Sequence, residues 1–165
     1  MRVERAGEES EEKKVLARAR NNAYALLRQR PRSEHEIRSR LKLKGYDESV
    51  IDEIVALLKK TGDIDDRRFA FIWMESRMHM NPVGDVVLKY ELKGKGIGDT
   101  IIEEVLNAKA GKYDEYEAAF NMAKERFERF KKLDRKKAMK RVYDFLLRRG
   151  FAYDNVRRII EELGK

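Results

Sequence analysis

Leu41-Lys42-Leu43-Lys44-Gly45-Tyr46 reads as the end of a helix: a leucine, basic residues, a glycine, then a large apolar side chain. Two more stretches follow the same plan, Leu92-Lys93-Gly94-Lys95-Gly96-Ile97 and Leu146-Leu147-Arg148-Arg149-Gly150-Phe151. The glycines are 51 and then 54 residues apart. Self-similarity at such a period predicts a small structural unit used three times. Glycine fits the end of each helix because it reaches a left-handed backbone without a Cβ clash.

Working outward, the apolar spacing is helical throughout. Leu16, Ala19, Ala23 and Leu27 mark a first helix, broken by Arg30-Pro31-Arg32. Ser33-Glu34-His35-Glu36 reads as a capping box opening a second. Asp47 is placed as the cap of a third, with Val50, Ile51, Ile54, Val55 and Leu58 on its apolar side. The middle unit repeats this, with Phe69, Ile72 and Trp73 in its first helix and Pro82 opening its second. In the last unit Asp134 is placed as the cap of the middle helix. Superposed on their glycines, the units align four apolar columns. These are Ile37/Leu88/Val142, Leu41/Leu92/Leu146, Ile51/Ile102/Val156 and Ile54/Val105/Ile159. The expectation is an all-α protein of three tandem three-helix, helix-turn-helix-like repeats forming an elongated, curved array. The repeats span residues 13–62, 63–111 and 112–165, after an acidic segment over 1–12 read as disordered.

The 165 residues contain no cysteine, so disulfides and thiolate metal sites are excluded. No apolar run approaches the roughly 20 residues of a membrane span, and no apolar core of a signal peptide follows Met1. A cytoplasmic protein is expected. The net charge of +8 is unevenly spread. Residues 13–62 carry 13 basic and 6 acidic side chains, 63–111 carry 7 and 9, and 112–165 carry 16 and 10. Two basic ends flanking an acidic middle predict attraction to a polyanion at both ends.

Nothing in the residues suggests catalysis, a metal or a cofactor. His35 and His79 lie in no ligand spacing. Asp63, Asp65 and Asp66 lack the alternation and closing Glu of a calcium loop, and suit a helix start instead. Gly94–Gly98 has the composition of a phosphate loop without its strand or its GK[ST] ending. Phe69, Trp73, Phe120, Phe127 and Phe130 fall at helical spacing and are expected in the core; Tyr90, Tyr143 and Tyr153 stay open between core and surface. Basic clusters at 28–44 and 124–141, the latter including Lys131, suit phosphates or an acidic protein groove. The candidate partner-binding residues are Arg38, Lys42 and Lys44 in the first repeat, and Lys137, Lys140, Arg141, Arg148 and Arg149 in the third, with Lys93 and Lys95 between them. Mainly Lys and Arg precede the glycines, a set that does not indicate base readout.

Several segments, in order, resemble the RecX regulators of the bacterial recombinase RecA. Arg32–Ile37 with Leu41–Tyr46 is similar to the first-unit signature of that family. Gly62-Asp63-Ile64-Asp65-Asp66-Arg67-Arg68-Phe69-Ala70 resembles its G-x-[IL]-[DN]-D-x-x-[FY]-A segment. Glu91–Ile97 resembles its E-L-x-x-K-G-I turn, and Leu147–Phe151 its L-x-R-[RK]-G-F end. The likeness spans roughly residues 13–163. It implies a non-enzymatic protein that binds the RecA–DNA filament and restrains RecA's ATPase, strand-exchange and coprotease activities. Single- or double-stranded DNA is a further implied partner, and a monomer is expected. One departure is the nearly uncharged stretch Arg77–Asp85, where the family often has Gly and Lys/Arg; the basic ends are therefore expected to carry more of the binding. The alternative is a helical repeat protein acting non-specifically on DNA or RNA itself.

Overall fold

The computed structural model describes residues 2–130 and 132–165, with side chains from residue 11 onward; Met1 and Lys131 lie outside the described residues. Among these residues there are nine α-helices and no strand. They are α1 (Arg2–Gln29), α2 (Glu34–Leu43), α3 (Glu48–Lys60), α4 (Asp66–Met80), α5 (Asp85–Gly94), α6 (Asp99–Lys112), α7 (Glu115–Arg129), α8 (Arg135–Arg148) and α9 (Tyr153–Leu163).

The three glycines end α2, α5 and α8 as expected, at φ +83° for Gly45, +76° for Gly96 and +77° for Gly150. The turns at Gly45 and Gly150 share their hydrogen bonds. The Gly45 amide donates to the Lys42 carbonyl at 3.0 Å and Tyr46 to Leu41 at 3.3 Å; Gly150 donates to Leu147 at 2.9 Å and Phe151 to Leu146 at 3.4 Å. Each pair satisfies carbonyls that the last helical turn leaves free.

The four apolar columns are the core. Eleven of the twelve side chains are fully buried, and Ile54 is 3% exposed. Burying each such side chain contributes roughly 1.5–3 kcal/mol. The chain forms two compact units. The first runs to Phe69 and includes the turn Lys95–Ile97; the second comprises Ala70–Gly94 and Gly98–Lys165. In the first, α1, α2 and α3 pack on one another, with Ala19 and Ala23 letting α1 approach closely. In the second, α5 packs on α6, and α7, α8 and α9 enclose a core of Ala119, Ala123, Val142, Leu146, Phe151, Val156 and Ile159.

The backbone of residues 2–12 continues α1, which runs unbroken from Arg2. One local expectation is corrected. Pro82 does not open α5, which starts at Asp85 after Gly84. The Gly84 amide is already engaged with the Arg149 carbonyl at 2.9 Å, and its own carbonyl accepts from Leu88 at 3.0 Å. Asp47 occupies the cap position of α3 without a side-chain cap bond, whereas Ser33 and Asp134 make theirs. In α4, which holds Phe69, Ile72 and Trp73 as expected, the buried face is Phe69, Ala70, Met74 and Met78.

Candidate partner-binding surface

A basic face lies on α8. Asp134 accepts from the Lys137 amide at 3.2 Å and fixes where the helix begins. Ala138, Val142 and Leu146 then face the core. The 3.6-residue period leaves Lys137, Lys140, Arg141 and Arg148 exposed. None of these four has an ion pair among the described residues. The Arg141 guanidinium lies over the Phe130 ring, 5.4 Å from its centroid.

Beneath that face, guanidinium groups and rings alternate. Arg126 lies between Phe130 and Phe145, 5.4 and 4.8 Å from the two centroids. Arg149 covers Phe145 at 5.3 Å and donates to the Pro82 carbonyl at 3.5 Å. Burial pushes the Arg149 pKa down from its ordinary value, and the positive charges of Arg77 and Arg126 add to the effect. Trp73 and Arg77 both donate to Glu91, at 2.8 Å from each side chain. Such contacts between guanidinium and ring are worth about 0.5–2 kcal/mol each. Phe145 was not singled out by the sequence, and Arg126 was counted only within the basic cluster 124–141. Their signal was the i, i+4 spacing of Arg126 and Phe130 beside a second arginine-rich helix.

The first-repeat candidates divide. Arg38 is half-buried and ion-paired, with Nε 2.9 Å from Glu34 and Nη1 2.6 Å from Asp52. Lys42 is 77% exposed, with only a 3.9 Å approach to Glu48. Lys44 is exposed and has no partner among the described residues.

The middle candidates are engaged within the chain. Lys93 bonds Asp99 at 2.9 Å across its turn. Lys95 bonds Glu36 at 3.0 Å, with both side chains largely buried. Burial pushes the Glu36 carboxyl up. Hydrogen bonds and charge from Arg30 and Lys95 outweigh it and hold the pKa at about 2. Thus Arg38, Lys95 and Arg149 are joints of the fold, while Lys42, Lys44, Lys137, Lys140, Arg141 and Arg148 face outward.

On the outer face of α5, Val86 and Tyr90 are 70% and 79% exposed beside Lys89 and Lys93, so Tyr90, left open by the sequence, lies at the surface. Tyr153 is exposed as well and Tyr143 half-buried. Of the aromatics placed in the core, Phe69 is buried, and Trp73, Phe120, Phe127 and Phe130 are half-buried.

Among the described residues no group of three His, Asp or Glu side chains could hold a metal ion. Asp63 accepts from the Tyr24 hydroxyl at 2.9 Å, Asp65 from the Arg68 amide at 2.9 Å and Asp66 from the Glu34 amide at 2.8 Å. These three carboxylates serve separate structural bonds. His79 Nδ1 lies 2.8 Å from the Glu75 carbonyl. No described helix is long and apolar enough to cross a membrane.

In Glu91–Ile97, Glu91 ties α5 to α4, Leu92 is core, Lys95 meets Glu36, Gly96 has positive φ and Ile97 is buried.

Comparison with known proteins adds an independent finding. Residues 19–58, 65–106 and 113–160 match the first, second and third three-helix domains of RecX. The chain is 36% identical over 141 residues to a protein of Chlorobium phaeobacteroides named regulatory protein RecX, covering 86% of this chain and 90% of that one. It is 33% identical to its namesake in Prosthecochloris aestuarii, covering 88% and 93%. The crystal structure of RecX from Lactobacillus salivarius superposes with a TM-score of 0.75 at 25% identity, over 92% of this chain and 97% of that one.

Proposed function

This chain belongs to the RecX family of regulatory proteins, and from that membership we propose that it binds the RecA–DNA filament and restrains RecA's ATPase, recombinase and coprotease activities. The reading assigns it no catalysis and no cofactor, and places it as a cytoplasmic monomer. The observation that carries it beyond the family name is the outward face of α8. Lys137, Lys140, Arg141 and Arg148 are exposed, with no carboxylate paired to them among the described residues. A surface of one sign, left unneutralised by its own protein, attracts and orients an oppositely charged partner. A RecA filament carrying DNA is such a partner. Lys42 and Lys44 add a second basic site on the first repeat.

The same face suits bare nucleic acid, whose phosphates it could neutralise without reading sequence. The two readings separate in one comparison. Lys137→Glu/Lys140→Glu/Arg148→Glu is predicted to weaken co-sedimentation with RecA–single-stranded DNA filaments by at least about tenfold at moderate salt, with an unchanged helical circular dichroism spectrum. Filament binding no tighter than binding to the same DNA without RecA would favour the nucleic-acid reading. Undiminished binding by the folded variant would remove α8 from the interface.

A further inference from the structure

Two of the three glycine turns are occupied by the start of a helix, and they are occupied alike. In the first compact unit, the turn Lys95–Ile97 sits on the start of α2. The Ser33 hydroxyl donates to the Lys95 carbonyl at 2.7 Å. A Cβ on Gly96 would lie 2.4 Å from His35 Cβ. In the second unit, the turn at Gly150 sits on the start of α5. The Gly84 amide donates to the Arg149 carbonyl at 2.9 Å, and a Cβ on Gly150 would lie 2.6 Å from the Val87 amide. Ser33 and Gly84 each stand 12 residues before the glycine of their own repeat. In both, the residue 12 positions before its own repeat's glycine donates to the carbonyl just before the next repeat's glycine, through the side-chain hydroxyl of Ser33 and the backbone amide of Gly84; a close approach accompanies each, at His35 and at Val87. The residue before each turn glycine also takes part: Lys95 bonds Glu36, in the first turn of α2, and Arg149 donates to the Pro82 carbonyl just ahead of α5.

The first turn has the same backbone and no such neighbour. Gly45 has φ +83°, and nothing lies within 4 Å of where its Cβ would be. Lys44 stands in the column of Lys95 and Arg149, exposed and without a described partner. Leu43 beside it is 78% exposed. We propose that the turn Leu43–Tyr46 is a vacant third copy of this joint, which docks the first turn of a helix on a partner protein. The Lys44 carbonyl would accept from the residue capping that helix. The Lys44 ammonium would pair with an acidic side chain three positions further on, as Lys95 does with Glu36. Helix first turns favour acidic residues, so such partners are chemically ordinary. A second copy of this chain is a poor occupant. Its α8 begins one turn too early, leaving Ala138 buried inside the helix in the column of Ser33 and Gly84. The first turn of α8 is Arg135-Lys136-Lys137, which repels Lys42 and Lys44. The proposal rests on the functional reading only in taking that partner to be RecA.

The test uses the isotope-labelled full chain and a stapled helical peptide that begins with the α2 start Pro31–Ile37 and continues in alanine and glutamate. Amide shifts centred on Leu43–Tyr46, with a Kd of about 1 mM or tighter, are expected. Lys44→Glu in the protein, or lysine in place of Glu36 in the peptide, should weaken binding by about tenfold. Peptide that leaves the Gly45 amide unmoved, or binds Lys44→Glu equally well, overturns the proposal. So do shifts at this turn that appear on concentrating the protein alone, since they assign it to a second copy. A chain that takes the peptide at Gly45 yet ignores RecA filaments overturns the functional reading and leaves the docking turn standing.

Discussion

At the scale of single residues, the decisive groups are those whose partner lies far along the chain. Glu36 is one. It completes the capping box of α2 with Ser33 and also receives Arg30 at 2.9 Å and Lys95 at 3.0 Å. Its carboxyl is held at about 2, below the ordinary 4.5. A depressed carboxyl stabilises the fold above its unfolded pKa and ceases to do so as pH falls toward the folded one. Urea unfolding should therefore show a stability contribution from Glu36 that is complete above pH 4.5 and is lost between there and about 2. Glu36→Gln should cost about 2 kcal/mol at pH 7, and its gap to the wild type should close as the pH is lowered through that window. A gap of constant size down to pH 2.5 would contradict the assignment. Gly84 is a second such residue. A Cβ there would lie 1.9 Å from the Gly150 carbonyl oxygen, which is backbone and cannot swing away. Gly84→Ala should lower stability by about 3 kcal/mol, near the severe end for point changes, whereas Gly98→Ala, in open space, should stay within about 0.5 kcal/mol. Equal thermal shifts for the two would show that the close approach is not real in solution. The sequence showed Lys95 and Arg149 as surface cations because the group that engages Lys95 is 59 residues away, and that of Arg149 is 67. Spacing along one helix cannot reveal a bond to another.

At the scale of elements, the repeat was legible because each helix carries its own period and each glycine its own conformational demand. The four columns superpose in sequence and are buried in space. What periodicity missed lies at helix starts, where it has least to work with. Pro82 matched a helix opening, yet the contact of Gly84 with Arg149 decides where α5 begins. Lys109 is a further element-scale feature that charge alone hides. It is 2% exposed and lies on α6, with its ammonium bonded to Asp85 at 2.5 Å at the start of α5 and to Glu115 at the start of α7. One cation thus joins three helices, near two helix N-termini that already favour acidic side chains. Lys109→Ala leaves two carboxylates close together without their counter-charge. It should cost about 3 kcal/mol or more in denaturant unfolding. A loss under 1 kcal/mol would mean that water replaces the ammonium at little cost.

At the scale of the whole molecule, the three repeats carry the same four apolar columns and differ in how they use their cations. The middle repeat has a slight acidic excess and turns Lys93, Lys95 and Lys109 to internal bonds. The first and last keep exposed cations with no strong partner among the described residues, on the Gly45 turn and on α8. This division accounts for the uneven charge seen in the sequence, and it places the candidate interface away from the residues that build the joints. Whether this chain acts on RecA, as proposed, is decided by RecA's ATPase on single-stranded DNA, titrated with the wild-type chain well below the RecA concentration. Inhibition is expected, weakened in parallel with filament binding by Lys137→Glu/Lys140→Glu/Arg148→Glu. An unchanged ATPase rate, from a folded chain that still binds DNA, would contradict it.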